Sequence, residues 1–382
     1  MRRPKNSAAR VAASQAGVTL LELLIAISLS ILVIGAALSL FAANRNTASS
    51  SAAVSSVSDN GRVALSFLSE SVRSAGYMAC NATNDLRQIA TGTTRQQSIL
   101  QPGATPVQRN YTAAFGGYEA VGSTPPAGAV NVVATPVAAD GNLNDWTGSG
   151  GLALDGLLAG RVTQGSDVLV VRETTPQSIP IYTTGPYTTG TGQVTLPVNS
   201  IGTLTAGQYA VISDCIVSTA FQVGAAGGGI INTAGPLDLF GGDLNWNYDV
   251  TNTITPVDMQ IYFIGPGRDT DSSLWQYDET TAQFQELVPD VENMQVLYGV
   301  APTTPNQVTQ YLTANAVVDF NQVVAVKVAL LVASPPGAPA VTLPTAATVQ
   351  PFSLLDTTIN PPLDTRLRKV LNTTIAVRNA AL

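Results

Sequence analysis

From Val18 to Phe41 the chain runs for 24 residues, VTLLELLIAISLSILVIGAALSLF, with a single charge, Glu22. A run of that length suits one helical crossing of a bilayer's hydrocarbon layer, so this segment is read as membrane-inserted. The residues before it carry Arg2, Arg3, Lys5 and Arg10 and no acid, which places residues 1–17 on the cytoplasmic side and reads them as a leader. Glu22 is the anomaly, because a charge inside an apolar helix costs about 2.5–3.5 kcal/mol on insertion scales. A plain signal-anchor helix leaves that carboxylate without a role. A secretory signal cut at Gly35-Ala36-Ala37 is a second alternative, but it has a long basic region and a misplaced glutamate.

A third alternative takes Gly17-Val18-Thr19-Leu20-Leu21-Glu22 together. This stretch resembles the class III signal of type IV prepilins, with Val18 where that family usually has phenylalanine. The resemblance implies cleavage by a prepilin peptidase after Gly17, N-methylation of the new amine on Val18, and an assembly role for Glu22 at mature position five. A buried carboxylate needs a cationic partner, and the amine of a mature N-terminus, its own or a neighbour's, would be one.

Composition constrains the chain beyond the helix. Charged residues make up 11% of the 382, glycine (33) and proline (23) are plentiful, and apolar residues reach 45%. That balance is closer to exported β-rich proteins than to cytosolic enzymes. The net charge is −7; without the leader, 14 basic residues face 25 acidic ones, a net of −11. Such a chain is not a nucleic-acid binder, which needs clustered Lys and Arg. Histidine is absent, which removes the commonest general base and zinc ligand. The two cysteines, Cys80 and Cys215, are too far apart for a CxxC motif. In an exported chain an even pair reads as one disulfide, against the alternative of two free buried thiols; a bridge would close a loop of 134 residues.

Helical spacing continues past Phe41. Val54, Val57, Gly61, Ala64, Leu65, Leu68, Val72 and Ala75 recur at steps of three and four, one apolar stripe. The same helix is therefore expected to reach about Gly76, roughly 90 Å from Val18. Gly61 and the serine run before it are candidate points of bending.

The stretch Ser58–Leu68 (SDNGRVALSFL), followed by Arg73-Ser74-Ala75-Gly76-Tyr77-Met78-Ala79-Cys80, resembles the PilW family of minor pilins. So do Gly165–Arg172, Ser213-Asp214-Cys215, Val291–Gly299, Val323–Val328, and Arg366-Leu367-Arg368 before Thr373–Asn379. Between about Asn81 and Gly165, Pro, Gly, Thr and Ala dominate and periodicity is poor, as in long loops. Beyond that, short apolar runs separated by turn residues mark strands at 167–172, 193–198, 208–213, 259–264, 291–300, 323–332 and 369–377, with a hairpin over 274–287 turning near Glu279–Thr281. Alternation in 208–213 and 324–328 predicts strands with one solvated face.

The expected architecture is α+β and type IV pilin-like: leader 1–17, membrane or filament-core helix 18–41, amphipathic helix 42–78, loop region 79–165, and an antiparallel β-rich head over 166–382. No catalytic spacing appears, and Gly224–Gly229 (GAAGGG) lacks the lysine and helix start of a phosphate site, so it reads as a loop. Asp140–Asp145 and Arg268–Asp271 offer oxygen ligands of the kind Ca²⁺ accepts without EF-hand spacing, and read first as solvated turns. Trp146, Trp246 and Trp275 read equally as core aromatics or sugar contacts.

The resemblance implies a non-enzymatic minor pilin without a cofactor. It would be held in the inner membrane with its head periplasmic, then incorporated near a pilus tip with other minor pilins, the major pilin and a PilY-type adhesin, supporting assembly, twitching motility and adhesion in a Gram-negative cell. Two alternatives are a minor pseudopilin of a type II secretion system and a membrane-tethered, carboxylate-dependent hydrolase.

Overall fold

The computed structural model describes residues 17–78, 81–82, 96–98, 113–132, 143–175, 177–181, 195–213, 218–234, 253–301, 307–336 and 350–378. Cys80, Cys215, Trp246 and Asp140 lie outside these residues, as does the leader before Gly17. The chain divides into two compact units, residues 1–52 and 53–382.

Helix α1, Leu20–Ser74, is one uninterrupted element. It starts where Thr19 caps it: the Glu22 N–H donates to Thr19 Oγ1 at 3.2 Å and the Leu23 N–H to the Thr19 carbonyl at 3.1 Å, satisfying donors that a helix start leaves open. It stops at Gly76, whose φ of 75° is a conformation that suits glycine. The Gly76 N–H then bonds the Arg172 carbonyl at 3.0 Å.

In the first unit the apolar side chains of Leu20 to Phe41 are exposed. In the second, Ala53, Val57, Gly61, Ala64, Leu68, Ser71 and Val72 form the buried face of the helix. The stripe is thus phased by one residue at its start: Val54 is exposed and Ala53 takes the inward position. Gly61, expected to weaken the helix, is a contact point. A Cβ there would come within 2.6 Å of Leu371 Cδ1, so glycine lets the helix approach a strand of the head closely.

Among the described residues the largest sheet has twelve strands, most of them antiparallel. Its principal strands are β1 (Phe115–Ala120), β2 (Trp146–Gly148), β3 (Val168–Thr174), β4 (Tyr209–Ser213), β5 (Ser218–Gly227), β6 (Ile230–Thr233), β7 (Thr253–Gly265), β8 (Ser273–Asp278) and β9 (Gln283–Pro289). Neighbours run β2-β1-β3-β7-β4-β5-β6 and then Thr195–Pro197. Strand β7 is the spine. It pairs with β3 through 257–262, with β4 through 253–257 and with β8 through 260–265. A four-stranded sheet has the order β11 (Gln310–Leu312), β10 (Val291–Val300), β12 (Val323–Ala333), β13 (Arg368–Ala376). A small third sheet joins Phe352–Leu354, Thr357–Asn360 and Ala129–Asn131, the last two in parallel.

Burial explains the arrangement. Leu169, Val171, Tyr262 and Ile264 face a core shared with the helix residues Val57, Ala64, Leu68 and Val72 and with Met294, Val296, Val326 and Val328 of the four-stranded sheet. Val168, Val170, Ile261 and Phe263 point to the opposite face, onto Trp146, Leu154 and Leu158. Each such side chain contributes roughly 1.5–3 kcal/mol by leaving water.

The structure changes three expectations. Residues 79–165 contain β1, β2 and the strand Ala129–Asn131, and β1 and β2 join the largest sheet. Strand β1 is buried along its whole length, so it shows no polar alternation to read. Strand β4 is not solvated on one face, and in β12 only Lys327 stays half-buried on the face expected to be solvated. Tyr209 and Val211 pack on one core and Ala210 and Ile212 on another, while Ala329 and Leu331 are covered by Leu354 and Ile359 of the third sheet. Gly224–Gly229 is not a loop. Residues up to Gly227 belong to β5, and Gly228 and Gly229, with φ of 59° and 78°, make the tight turn into β6.

Candidate functional site

Gly17, Val18 and Glu22 sit together at the start of α1. Gly17 and Val18 precede the helix in non-helical conformation and are exposed. Glu22 lies in the first turn and is exposed as well, where a carboxylate interacts favourably with the helix dipole. Behind it Leu21, Leu24, Ile25, Ile31, Leu32 and Val33 are among the apolar side chains left more than half exposed. The helix start therefore offers an apolar surface with one carboxylate at its tip.

In the second unit the last turns of α1 border a cleft of about 590 Å³ lined by Phe67, Glu70, Ser71, Ser74, Glu173, Asp258, Gln260 and Tyr262, among others. Sequence reasoning missed this acidic cleft, because its carboxylates come from three distant segments. Gln260 organises it: Nε2 donates to Glu173 Oε1 at 3.1 Å and Asp258 Oδ2 at 3.2 Å, while Oε1 accepts from the Tyr262 hydroxyl. Ser74 Oγ donates to Glu173 Oε2. Burial pushes the Glu173 carboxyl up from its ordinary value, with Asp258 and Glu70 adding to the push against the Ser74 hydrogen bond. Asp258 is raised by burial and by Asp278, against bonds from Gln260 and Thr280. Burial also raises the Tyr262 phenol.

Arg366 and Arg368, which carry part of the family resemblance, close a buried ion-pair network. Arg366 reaches Asp271 at 3.0 Å and Asp290 at 2.5 Å, and its Nε donates to the Ser334 carbonyl at 2.6 Å. Arg368 reaches Glu292 at 2.7 Å and Asp364 at 2.6 Å. Four carboxylates around two guanidiniums explain why the partners differ. Burial raises Asp290 in spite of Arg366, whereas at Asp364 burial is outweighed by Arg368 and Arg366 and the carboxyl falls below its usual value.

Asp271, expected in a solvated turn or as an oxygen ligand, is therefore an ion-pair partner of Arg366. Asp145 accepts from Gln164 Nε2 at 2.8 Å. Trp146 is a core residue whose indole N–H donates to the Ser166 carbonyl at 2.9 Å. Trp275 donates to the Pro266 carbonyl at 3.0 Å, with the Arg268 guanidinium over its ring. Among the described residues, no group of three or more Asp, Glu, His or Cys is placed to hold a metal ion.

Residues 261–379 match the PilW family, described as type IV pilus-assembly protein W. The resemblance of Val291–Gly299, Val323–Val328 and Arg366–Asn379 to that family falls inside this segment. No curated protein matches the chain. Among solved structures, a type IV-like pilin from Thermus thermophilus aligns at 20% identity and a TM-score of 0.21, covering 46% of this chain and 86% of that one.

Proposed function

We propose that this protein is a PilW-like minor pilin of a type IV pilus, made as a prepilin, cut after Gly17 and N-methylated on Val18. The observation that carries the reading is the match of 261–379 to the type IV pilus-assembly family, on a chain whose N-terminal helix leaves its apolar residues uncovered and carries Glu22 in its first turn.

Uncovered apolar surface on residues 20–41 is stable in a bilayer before assembly and in the packed core of a filament afterwards, and its burial supplies most of the subunit affinity. Cleavage after Gly17 frees an amine at the same helix end as Glu22. Pairing Glu22 with such an amine, on this subunit or its neighbour, removes the penalty of a lone buried charge and fixes axial register. The head, periplasmic before assembly, supplies specificity for other minor pilins, the major pilin and a PilY-type adhesin near the tip. Its role is structural and not enzymatic, serving assembly, twitching motility and adhesion. Cys80 and Cys215 are proposed to form one disulfide.

The test is mass spectrometry of the protein from sheared pili, with its deletion scored for pilus number. A mature N-terminus at methylated Val18, in the pilus fraction, is the expected result. An uncut N-terminus, or recovery only with a secretion pseudopilus, would overturn the reading. Intact mass with and without reductant reports the disulfide.

A further inference from the structure

Two carboxyl groups lie inside the head where no assembly role uses them. Glu119, on β1, is 2% exposed, and Asp167, just before β3, is 3% exposed. Ser123 Oγ lies 3.1 Å from Glu119 Oε1 and 3.4 Å from Asp167 Oδ1, so both carboxyls gather around one hydroxyl. Their environments differ. Asp167 Oδ1 accepts the Ala120 N–H at 3.0 Å and Oδ2 the Val296 N–H at 2.9 Å, which ties β1 to β10 through one side chain. Glu119 Oε2 is buried with no hydrogen-bond partner.

Two adjacent buried carboxylates cannot both ionise cheaply, and backbone N–H donors favour the charged form of the group they reach. Asp167 has two such backbone donors, whereas Glu119 receives only the hydroxyls of Ser123 and Thr124. An orphan carboxylate oxygen is costly as a charged acceptor, and protonating it removes the buried charge that Asp167 would repel. We propose that Glu119 and Asp167 hold a single proton between them, Glu119 as the neutral acid and Asp167 as the anion. This proton is an alkaline-sensitive latch joining β1, β10 and the turn before Thr357.

The surroundings agree. Thr357 Oγ1 donates to the Ser123 carbonyl, so the third sheet is fastened to the same corner. The side chains that close the pocket with the pair include Pro125, Gln295, Leu297, Leu355 and Thr357, which bring no cation. The other titratable groups packed nearby are Tyr298 on β10, whose hydroxyl donates to the Gly116 carbonyl at 3.1 Å, and Arg172 on β3, whose guanidinium donates to the carbonyls of Ala113 and Phe115. Asp356, between Leu355 and Thr357, is exposed. Burial, then the Asp167 charge, lifts Glu119 from 4.5 to about 9. Burial raises Asp167 too, against the N–H groups of Ala120 and Val296.

The sign comes from proton binding. Between the ordinary glutamate value and about 9 the folded chain holds a proton that the unfolded chain has released. Stability is therefore greatest in acid and falls as pH rises, the unfolding constant growing up to about tenfold per pH unit. The latch is independent of the pilin reading.

The experiment is thermal unfolding of the full chain in detergent from about pH 5 to about pH 10, for wild type, Glu119→Gln and Asp167→Asn. The expected result is a wild-type midpoint that falls toward alkaline pH, a markedly flatter profile for Glu119→Gln, and a lowered midpoint at every pH for Asp167→Asn, whose amide accepts through one oxygen only. Parallel profiles for wild type and Glu119→Gln would overturn the proposal. A wild-type midpoint raised by CaCl₂ and lowered by EDTA, with neither effect in Glu119→Gln, would overturn it too, by putting a cation in the proton's place. If Glu119→Gln does not fold, infrared spectra of ¹³C-glutamate-labelled wild type decide. Recorded also in Glu173→Gln, so that the raised Glu173 carboxyl contributes nothing, a protonated carboxylic C=O band at neutral pH that disappears near pH 10 supports the latch, and its absence at neutral pH refutes it.

Discussion

The phenol of Tyr298 fills the space that a side chain at Gly117 would take. A Cβ built on Gly117 would collide with the Tyr298 hydroxyl and come within 2.9 Å of the Val168 carbonyl oxygen. The hydroxyl itself bonds the Gly116 carbonyl at 3.1 Å, so β1 and β10 meet at glycine because nothing larger leaves room for the ring. Gly117→Ala should lower stability by about 1–3 kcal/mol through overpacking, read as a lower thermal midpoint. The loss should shrink in a Tyr298→Phe background, where the colliding oxygen is gone.

The arginine network makes a larger demand. Arg366→Ala would strand Asp290, whose side chain is 4% exposed, while Glu292 keeps its bonds to Arg368. Breaking a buried pair from one side costs about 3–5 kcal/mol, so denaturant unfolding should show a loss of that order. Arg366→Lys should recover only part of it, since an ammonium cannot reproduce the fork that reaches Asp271, Asp290 and the Ser334 carbonyl together.

The acidic cleft should respond to pH in a defined direction. Glu173 is raised in the folded chain, so the fold retains its proton longer than the unfolded chain does and stability falls as pH rises through and above the ordinary carboxylate range. Glu173→Gln keeps an oxygen for Ser74, gives up the bond from Gln260 Nε2, and removes the repulsion from Asp258 and Glu70. It should raise the neutral-pH stability modestly, by up to about 1 kcal/mol given the partial exposure of the site, and leave acid stability unchanged. Urea titrations at about pH 4 and about pH 8 check both halves.

The phase of α1 can be tested by a pair of truncations. Leu68 is fully buried and Val54 is 53% exposed. Leu68→Ala should cost about 2–5 kcal/mol, whereas Val54→Ala should stay within about 0.5 kcal/mol. Equal losses would mean that the helix is rotated away from the face that carries Val57, Ala64 and Leu68.

Glu22→Ala tests assembly apart from folding. The helix retains its Thr19 cap and becomes more apolar, so membrane insertion should persist while the protein's abundance in sheared pili drops several-fold. Unchanged pilus incorporation would remove the register role of Glu22. A bulky residue at Gly17 should block processing, seen as retained leader mass.

Much of this fold was legible where burial is one-sided or where a turn announces itself. The α1 stripe, the Gly76 stop and the β8–β9 hairpin come from periodicity and turn chemistry, and Val291–Val300 is a strand over the predicted residues. Strand β1 was not legible, because Phe115 and Tyr118 face two different cores and Gly116, Gly117 and Ala120 carry little pattern. The second face of β12 was hidden for the same reason, since its cover comes from Leu354 and Ile359. Gly17, Val18 and Glu22, proposed to act in processing and assembly, are local in sequence, so a motif can join them there. Glu119 with Asp167, or Glu70 with Glu173 and Asp258, become neighbours only through long-range strand pairing, and no spacing rule along the chain joins them.

The family match begins at residue 261, inside β7, which spans Thr253–Gly265. The shared segment therefore has no clean seam at its start. Its first strand is already hydrogen-bonded, on its earlier half, to β4, and through 257–262 to β3. A chimera joined at 261 would inherit a severed spine with unpaired backbone on either side, a template for sticking to other chains. Residues 261–379 thus lean, through β7, on backbone partners in β3 and β4 that precede them in the chain.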